Sequence, residues 1–269
     1  MDAELITQGT LQTRAGRALP LQRTEVRATV TGPVAEVEVR QVFRNDTDTA
    51  IEAVYLFPLP HDASVHRMLF RIEDRVVQGV VKDKAEARRT YEKARAEGRA
   101  ATLLEEERPA LFPLSVANVA PGATIEVELG YQELVAYDDG RWRFVFPLVA
   151  PERYRDPPPA AAGALAPPRM PTGQRAGDVS LEVLVRGEGH VESLRSPTHP
   201  VTARYTDDGV PVVSMLPGDT LPNRDFVLTW QAGDTGVRPA LRFERHPGQT
   251  GTFLLVVTPS VPKVLTERT

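Results

Sequence analysis

The chain reads as all-β: an antiparallel β-sandwich with one short covering α-helix, followed by a second β-rich portion. Three observations predict this. Apolar and polar residues alternate with period 2 through most of the chain, the mark of half-buried strands. The runs are separated by turn-forming breaks such as Gly32-Pro33 and Asn45-Asp46-Thr47-Asp48. One segment, 84–97, carries a helical period instead.

Taken in order, Val26, Ala28 and Val30 alternate with Glu25, Arg27 and Thr29. After Gly32-Pro33, Val37, Val39, Gln41 and Phe43 share one face, opposite Glu36, Glu38, Arg40 and Arg44. Ile51, Ala53, Tyr55 and Phe57 return on one face beyond the polar turn, so the spacing predicts a hairpin across residues 45–48. Pro58 and Pro60 end that strand because neither donates to a ladder. Strands follow at 65–72 and 76–81. Asp83 with Glu86 forms a capping-box pattern, and Gly98 suits the left-handed position after the last turn. The helix between them places Ala87, Tyr91 and Ala94 on one face, small enough to lie close on a sheet. Strands resume at 125–131, with Ile125, Val127 and Leu129 facing away from Glu126 and Glu128, and at 142–146. Residues 156–177 are rich in Pro, Ala and Gly and read as an extended connector. Further strands are expected around Leu181–Val185, 201–205, 210–215, 226–230, Leu241/Phe243 and 253–257. The expected units are a sandwich at 1–155, a linker or long loop at 156–177, a β-rich portion at 178–259 and a connecting segment at 260–269. Whether that portion stands alone or extends the first sandwich is open from sequence.

With 269 residues the chain can bury a substantial core. Its formal net charge of −4 argues against a general nucleic-acid binder. Only four of 32 basic residues are Lys, an Arg bias that points to a GC-rich, bacterial source. Cysteine is absent, which removes disulfides, thiolate metal sites and Cys nucleophiles together. No run approaches the roughly 18 apolar residues of a membrane span. The first residues carry neither a basic n-region nor an apolar h-region.

His61 and His66, five apart, point to opposite faces of a strand and do not form a metal pair. His199, in Ser196-Pro197-Thr198-His199, reads as a turn residue holding a structural hydrogen bond, with a protein contact as the alternative. Asp138-Asp139-Gly140 and Asp207-Asp208-Gly209 lie between alternating runs and read as hairpin turns. Neither Gly-x-Ser-x-Gly nor a phosphate-binding glycine loop occurs. Asn45-Asp46-Thr47 fits the glycosylation pattern but reads as a turn. Thus no catalytic residue, cofactor or metal is expected.

Several pieces in fixed order carry a family resemblance. They are Tyr55 with Phe57, Pro58 and Pro60; Ala87, Tyr91 and Ala94; Gly98; Asn118 with Pro121 and Gly122; and Tyr131. Together, from Leu21 to Tyr154, they resemble the vault protein inter-α-trypsin (VIT) domain. Leu194–His199 and Pro222–Trp230 resemble the segment that follows it in relatives. The resemblance implies a von Willebrand factor A domain further along the polypeptide, opened by Asp-x-Ser-x-Ser. That motif is not present here; the nearest sequence, Asp62-Ala63-Ser64-Val65-His66, ends in His. The expectation is an N-terminal part of a longer protein.

What the resemblance implies is a non-catalytic interaction and scaffold module that presents an adjacent, metal-dependent adhesion domain, with a protein partner of unknown identity. A bacterial envelope or secreted address is implied, with a cytoplasmic one as the alternative. Two other readings stand beside it: a carboxylate-based hydrolase with a site between the two β portions, and a self-associating structural subunit.

Overall fold

The computed structural model describes residues 9–13, 15–57, 59–60, 62–78, 114–148, 178–186, 191–216, 224–232, 238–245, 248 and 250–258. Among these residues every regular element is a strand. The predicted helix at 84–97, with Ala87, Tyr91 and Ala94, lies outside the described residues, as do Gly98, Pro58 and the connector 156–177.

The first strands are β1 (Thr10–Thr13), β2 (Leu21–Thr31), β3 (Val34–Arg44), β4 (Ile51–Leu56), β5 (Ser64–Ile72) and β6 (Arg75–Gln78). Then come β7 (Leu114–Val119), β8 (Thr124–Leu134), β9 (Ala136–Asp138) and β10 (Arg141–Phe146). The remainder are β11 (Asp178–Arg186), β12 (Val191–Arg195), β13 (Val201–Tyr205), β14 (Pro211–Met215), β15 (Phe226–Ala232), β16 (Arg238–Glu244) and β17 (Thr252–Thr258). One eight-stranded sheet runs β13-β14-β11-β2-β3-β8-β5-β6. Its inner face meets a three-stranded sheet, β1-β4-β7, and a four-stranded sheet, β12-β15-β10-β9, around one core. The ribbon β16-β17 forms a sheet of its own.

The period-2 reading sets the core. Val26, Ala28, Val30, Val37, Val39, Phe43, Ile125, Val127 and Leu129 are all buried, while Arg27, Glu36, Glu38 and Arg40 are exposed. The later strands build into both layers. β11 lies parallel to β2, from Asp178 beside Arg23 to Arg186 beside Thr31, whereas the other ladders are antiparallel. β15 pairs with β10, Phe226 opposite Phe146 and Trp230 opposite Trp142.

Turn chemistry matches the sequence at three places. Gly32 (φ 57°) followed by Pro33 joins β2 to β3 with Thr31 opposite Val34, the pattern of a type II′ hairpin turn. Asp139 (φ 46°) and Gly140 (φ 76°) close β9 onto β10 in a two-residue loop with both φ positive, as type I′ demands. The Ala123 N–H donates to the Ala120 carbonyl around Pro121 and Gly122 (φ 74°), a type II turn.

The hairpin predicted across residues 45–48 is not formed. β3 sits between β2 and β8, and β4 sits between β1 and β7 in the opposing sheet. Asn45, fully buried, redirects the chain. Its Nδ2 donates to the carbonyls of Thr49 (3.1 Å), Val119 (3.0 Å) and Ala120 (2.9 Å). Its Oδ1 accepts from the Thr47 N–H (3.0 Å) and hydroxyl (2.7 Å). Its own backbone exchanges hydrogen bonds with Ala123 and Gly122, both 2.9 Å. A crossing between layers is therefore fastened to the 119–123 turn. The amide that sequence alone could assign to a sugar is an interior hydrogen-bond hub.

Tyr55 links the layers. Its ring meets Phe43 of β3 edge-on at 6.1 Å, Phe70 of β5 edge-on at 6.0 Å and Phe57 stacked at 6.3 Å. Phe57 in turn lies 6.4 Å from Phe146 of the four-stranded sheet. The Tyr55 hydroxyl donates to Gln41 Oε1 at 2.6 Å, and Gln41 Nε2 donates to Thr24 Oγ1 at 3.1 Å. All three polar residues are 0% exposed, so each bond replaces water that cannot reach them. Gly9 packs on this chain so closely that a Cβ would lie 2.5 Å from Gln41 Oε1.

Tyr55→Phe is expected to lower the unfolding free energy by about 1–3 kcal/mol in urea denaturation, because Gln41 Oε1 loses its donor in a dry site. A change within about 0.5 kcal/mol counts against the role given to this bond. Asn45→Ala removes both donors and the acceptor of the crossing and is expected to cost roughly 2–4 kcal/mol. A near-neutral result would mean that the 119–123 turn holds the crossing without it.

Candidate interaction surface

The outer face of the eight-stranded sheet carries a shallow depression of about 420 Å³. It is lined by Glu25, Arg27, Glu38, Arg40, Arg67, Arg71, Glu126, Glu128 and Gly130, drawn from β2, β3, β5 and β8. The same alternation that buries the valines places these charges outward. They interlock across strands. Arg40 reaches Glu126 at 2.6 Å and Glu25 at 3.9 Å. Arg67 reaches Glu128 at 2.7 Å, and Arg71 binds Glu128 at 2.8 Å and Glu126 at 3.9 Å. Hydrogen bonds from Arg71 hold the Glu128 carboxyl below its ordinary range, and the Glu126 bond holds Arg40 above its own. Pairs this exposed add little to stability, because solvent screens them. Their effect is a pattern of fixed charge more than stability.

A bulge shapes the floor of the depression. Between Val65 opposite Tyr131 and Arg67 opposite Gly130, β5 carries the extra residue His66. His66 and Arg67 are both exposed as a result, against strict alternation. Gly130 permits it: a Cβ there would lie 2.9 Å from the His66 ring and 3.1 Å from Arg67 Cβ. His66 Nε2 lies 3.9 Å from Glu36. Sequence alternation identified Glu36, Glu38, Arg40, Glu126 and Glu128 as outward, but not the basic set on β5, because a bulge shifts the period and leaves no local signal.

The expected family positions do not converge here. Tyr55, Phe57 and Tyr131 are in the core. Pro60 accepts the Ala63 N–H at 3.1 Å. Asn118 takes φ 58° where the β4–β7 register shifts, a conformation Asn tolerates well. Pro121 and Gly122 make the turn bonded to Asn45. In the later segment, the Thr198 hydroxyl accepts the Val227 N–H at 2.9 Å, the Arg224 guanidinium donates to the Thr198 carbonyl, and the His199 ring lies 5.8 Å from Phe226. The His199 N–H donates to the Ser196 hydroxyl at 3.1 Å. The 194–199 and 222–230 pieces singled out in the sequence thus meet through their described residues. Among the described residues no group of three His, Asp or Glu side chains is placed to hold a metal ion.

Glu133 is the residue sequence reasoning missed. It falls on the inward face of β8 with Tyr131 and is 8% exposed. Burial, and then the nearby charge of Asp62, push its carboxyl up to about 8. Asp62 itself accepts the Leu134 N–H at 3.3 Å. An inward acidic residue at the end of an alternating run is the only trace of this in the sequence.

Comparison with known proteins adds the following. The sequence profile of the vault protein inter-alpha-trypsin domain matches residues 21–131. The chain is 28% identical over 265 residues to mouse (Mus musculus) protein mono-ADP-ribosyltransferase PARP4, covering 95% of this chain and 13% of that protein. It is 28% identical over 196 residues to the rat (Rattus norvegicus) von Willebrand factor A domain-containing protein 5A, covering 71% of this chain and 24% of the relative. It is 29% identical over 139 residues to human (Homo sapiens) inter-alpha-trypsin inhibitor heavy chain H3, covering 51% of this chain and 16% of the relative. The chain thus spans a quarter or less of the length of each of these relatives.

The raised Glu133 makes stability depend on pH. The folded state keeps a proton that the unfolded chain releases near 4.5. The contribution is therefore complete below about 4.5 and is lost as pH rises toward 8, by roughly 3–5 kcal/mol. Glu133→Gln is expected to flatten that slope and to be the more stable form at pH 8 in denaturant titrations at pH 5, 7 and 8. Parallel profiles for the two proteins would show that Glu133 is solvated in the fold.

Proposed function

Residues 21–131 are a vault protein inter-alpha-trypsin domain, and on that premise we propose that the chain is a non-catalytic interaction module. Its work is to hold and present a von Willebrand factor A domain in the same, longer polypeptide. The observation that carries this reading is the match itself. It falls in relatives of which this chain is a small part, one of them named for its von Willebrand factor A domain. The transferase activity in the name of the PARP4 relatives belongs to proteins of which this chain covers 13–15%. It is not assigned to this chain.

The sandwich suits such work. Three sheets share one core, so loops and outer faces are carried on a stiff frame. The charged depression gives one face a fixed pattern of both signs. A partner must match alternating charges to displace these ion pairs, which favours selectivity over tight binding.

The carboxylate-hydrolase alternative calls for two acids in one concavity, one of them with a raised pKa. In the depression Glu126 and Glu128 are bridged by Arg71, and Glu128 is held low. The raised acid, Glu133, faces the core instead. The charged face, built by the first β portion alone, assembles no such pair among the described residues.

The native gene read past Thr269 is expected to continue into a strand followed by Asp-x-Ser-x-Ser. The encoded product should bind a divalent cation, detectable by calorimetry and abolished by changing the Asp of that motif. A gene encoding no such motif after Thr269 overturns the reading.

A further inference from the structure

Among the described residues, the ribbon β16-β17 pairs with no other strand. Its register sets Phe243 opposite Phe253, Leu241 opposite Leu255 and Pro239 opposite Val257. Directly opposed residues share a face, so one side of the ribbon is apolar along its length. That side faces water: Phe243 and Phe253 are 67% and 68% exposed, Leu255 54% and Val257 55%. These four are absent from the core cluster. A two-stranded ribbon is marginally stable by itself, and a contiguous apolar patch of this size marks a contact surface.

We propose that this apolar face is the docking surface for the domain that follows in the same polypeptide; the inference rests on the reading given above. Area decides between a tethered neighbour and a free partner. Counting about 150–250 Å² for a whole aromatic ring, the exposed side chains present on the order of 500 Å². With the matching surface, the contact buries about 1,000 Å². That falls short of the roughly 1,200–2,000 Å² of stable complexes between free proteins. It lies within the roughly 600–1,500 Å² of contacts between domains of one chain. A tether supplies an effective concentration in the millimolar range and makes up the difference. A second copy of this chain would have no such help.

The similarity to the mouse relative points the same way. It covers 95% of this chain and 13% of that protein. Coverage of that extent reaches into residues 238–258, so the matched stretch of a polypeptide several times longer extends over this part of the chain. In a polypeptide of that length a neighbouring domain lies within reach of such a face.

The test compares the full gene product with the 269-residue chain. Amide hydrogen exchange across 238–258 is expected to be slower in the full product by about tenfold or more. Phe243→Asp with Phe253→Asp should return those amides to the fast rate in the full product. In the 269-residue chain the same pair should leave thermal unfolding of the sandwich unchanged, because both rings are outside its core. Equal exchange in the two proteins, with the following domain present, overturns this inference and leaves the function reading intact. A gene without that domain overturns the function reading first. A concentration-dependent dimer of the 269-residue chain in light scattering, abolished by the same pair, assigns the face to a second copy and also overturns the proposal.

Discussion

One hydrogen bond in a dry place organises this protein: the Tyr55 hydroxyl on Gln41 Oε1. Tyr55 belongs to the small sheet, and Gln41 to the centre of the large one. A partner matters for a phenol buried to this degree, since an unpaired hydroxyl in an apolar interior costs about as much as several packed methyl groups contribute. The requirement fixes distance and register between the layers. The rings of Phe43, Phe70 and Phe57 then close around Tyr55, and Phe57 carries the contact on to Phe146. Apolar packing alone would tolerate sliding. A buried polar pair does not, because a slip of one residue leaves both groups unpaired.

That constraint leaves the outer face of the large sheet free to carry charge. Its strands β2, β3, β8 and β5 lie side by side, so Arg and Glu side chains on neighbouring strands meet at fixed spacings. Each ion pair is weak, but the array is specific in position. The face is nearly self-neutral, which separates it from the basic surfaces that bind nucleic acid. It also separates it from clustered acids that would gather a metal. The properties of this face favour recognition over reaction, as does the removal of the raised carboxyl, Glu133, to the interior.

The ribbon at 238–258 departs from the economy of the rest. Elsewhere the large apolar side chains lie mostly in one core, while Phe243, Phe253, Leu255 and Val257 face outward together. A sandwich that satisfies its own polar groups and its own apolar faces would be complete as it stands. Among the described residues, this one presents an exposed apolar side on the β16-β17 ribbon. The feature fits a module whose surface is finished by a neighbour.

The sequence by itself determined the all-β class, the alternation that sorts core from surface, and the hairpin turns at Gly32-Pro33 and Asp139-Gly140. Each of these is local: period 2 and the φ preferences of Gly, Pro and Asp act within a few residues. It also carried the motif order by which residues 21–131 match the profile of the vault protein inter-alpha-trypsin domain. Tertiary structure alone decided which strands are neighbours. Alternation is the same whether β4 pairs with β3 or crosses to the other sheet, and the choice lies with Asn45, whose partners are as many as 75 residues away. The bulge at His66, accommodated by Gly130 on another strand, and the parallel docking of β11 on β2 are of the same kind. So is the outer charged face, assembled from four strands and readable in sequence only as separate polar positions. Pairing energies depend on contacts made after the chain has folded back on itself, and those contacts leave no periodic trace along it.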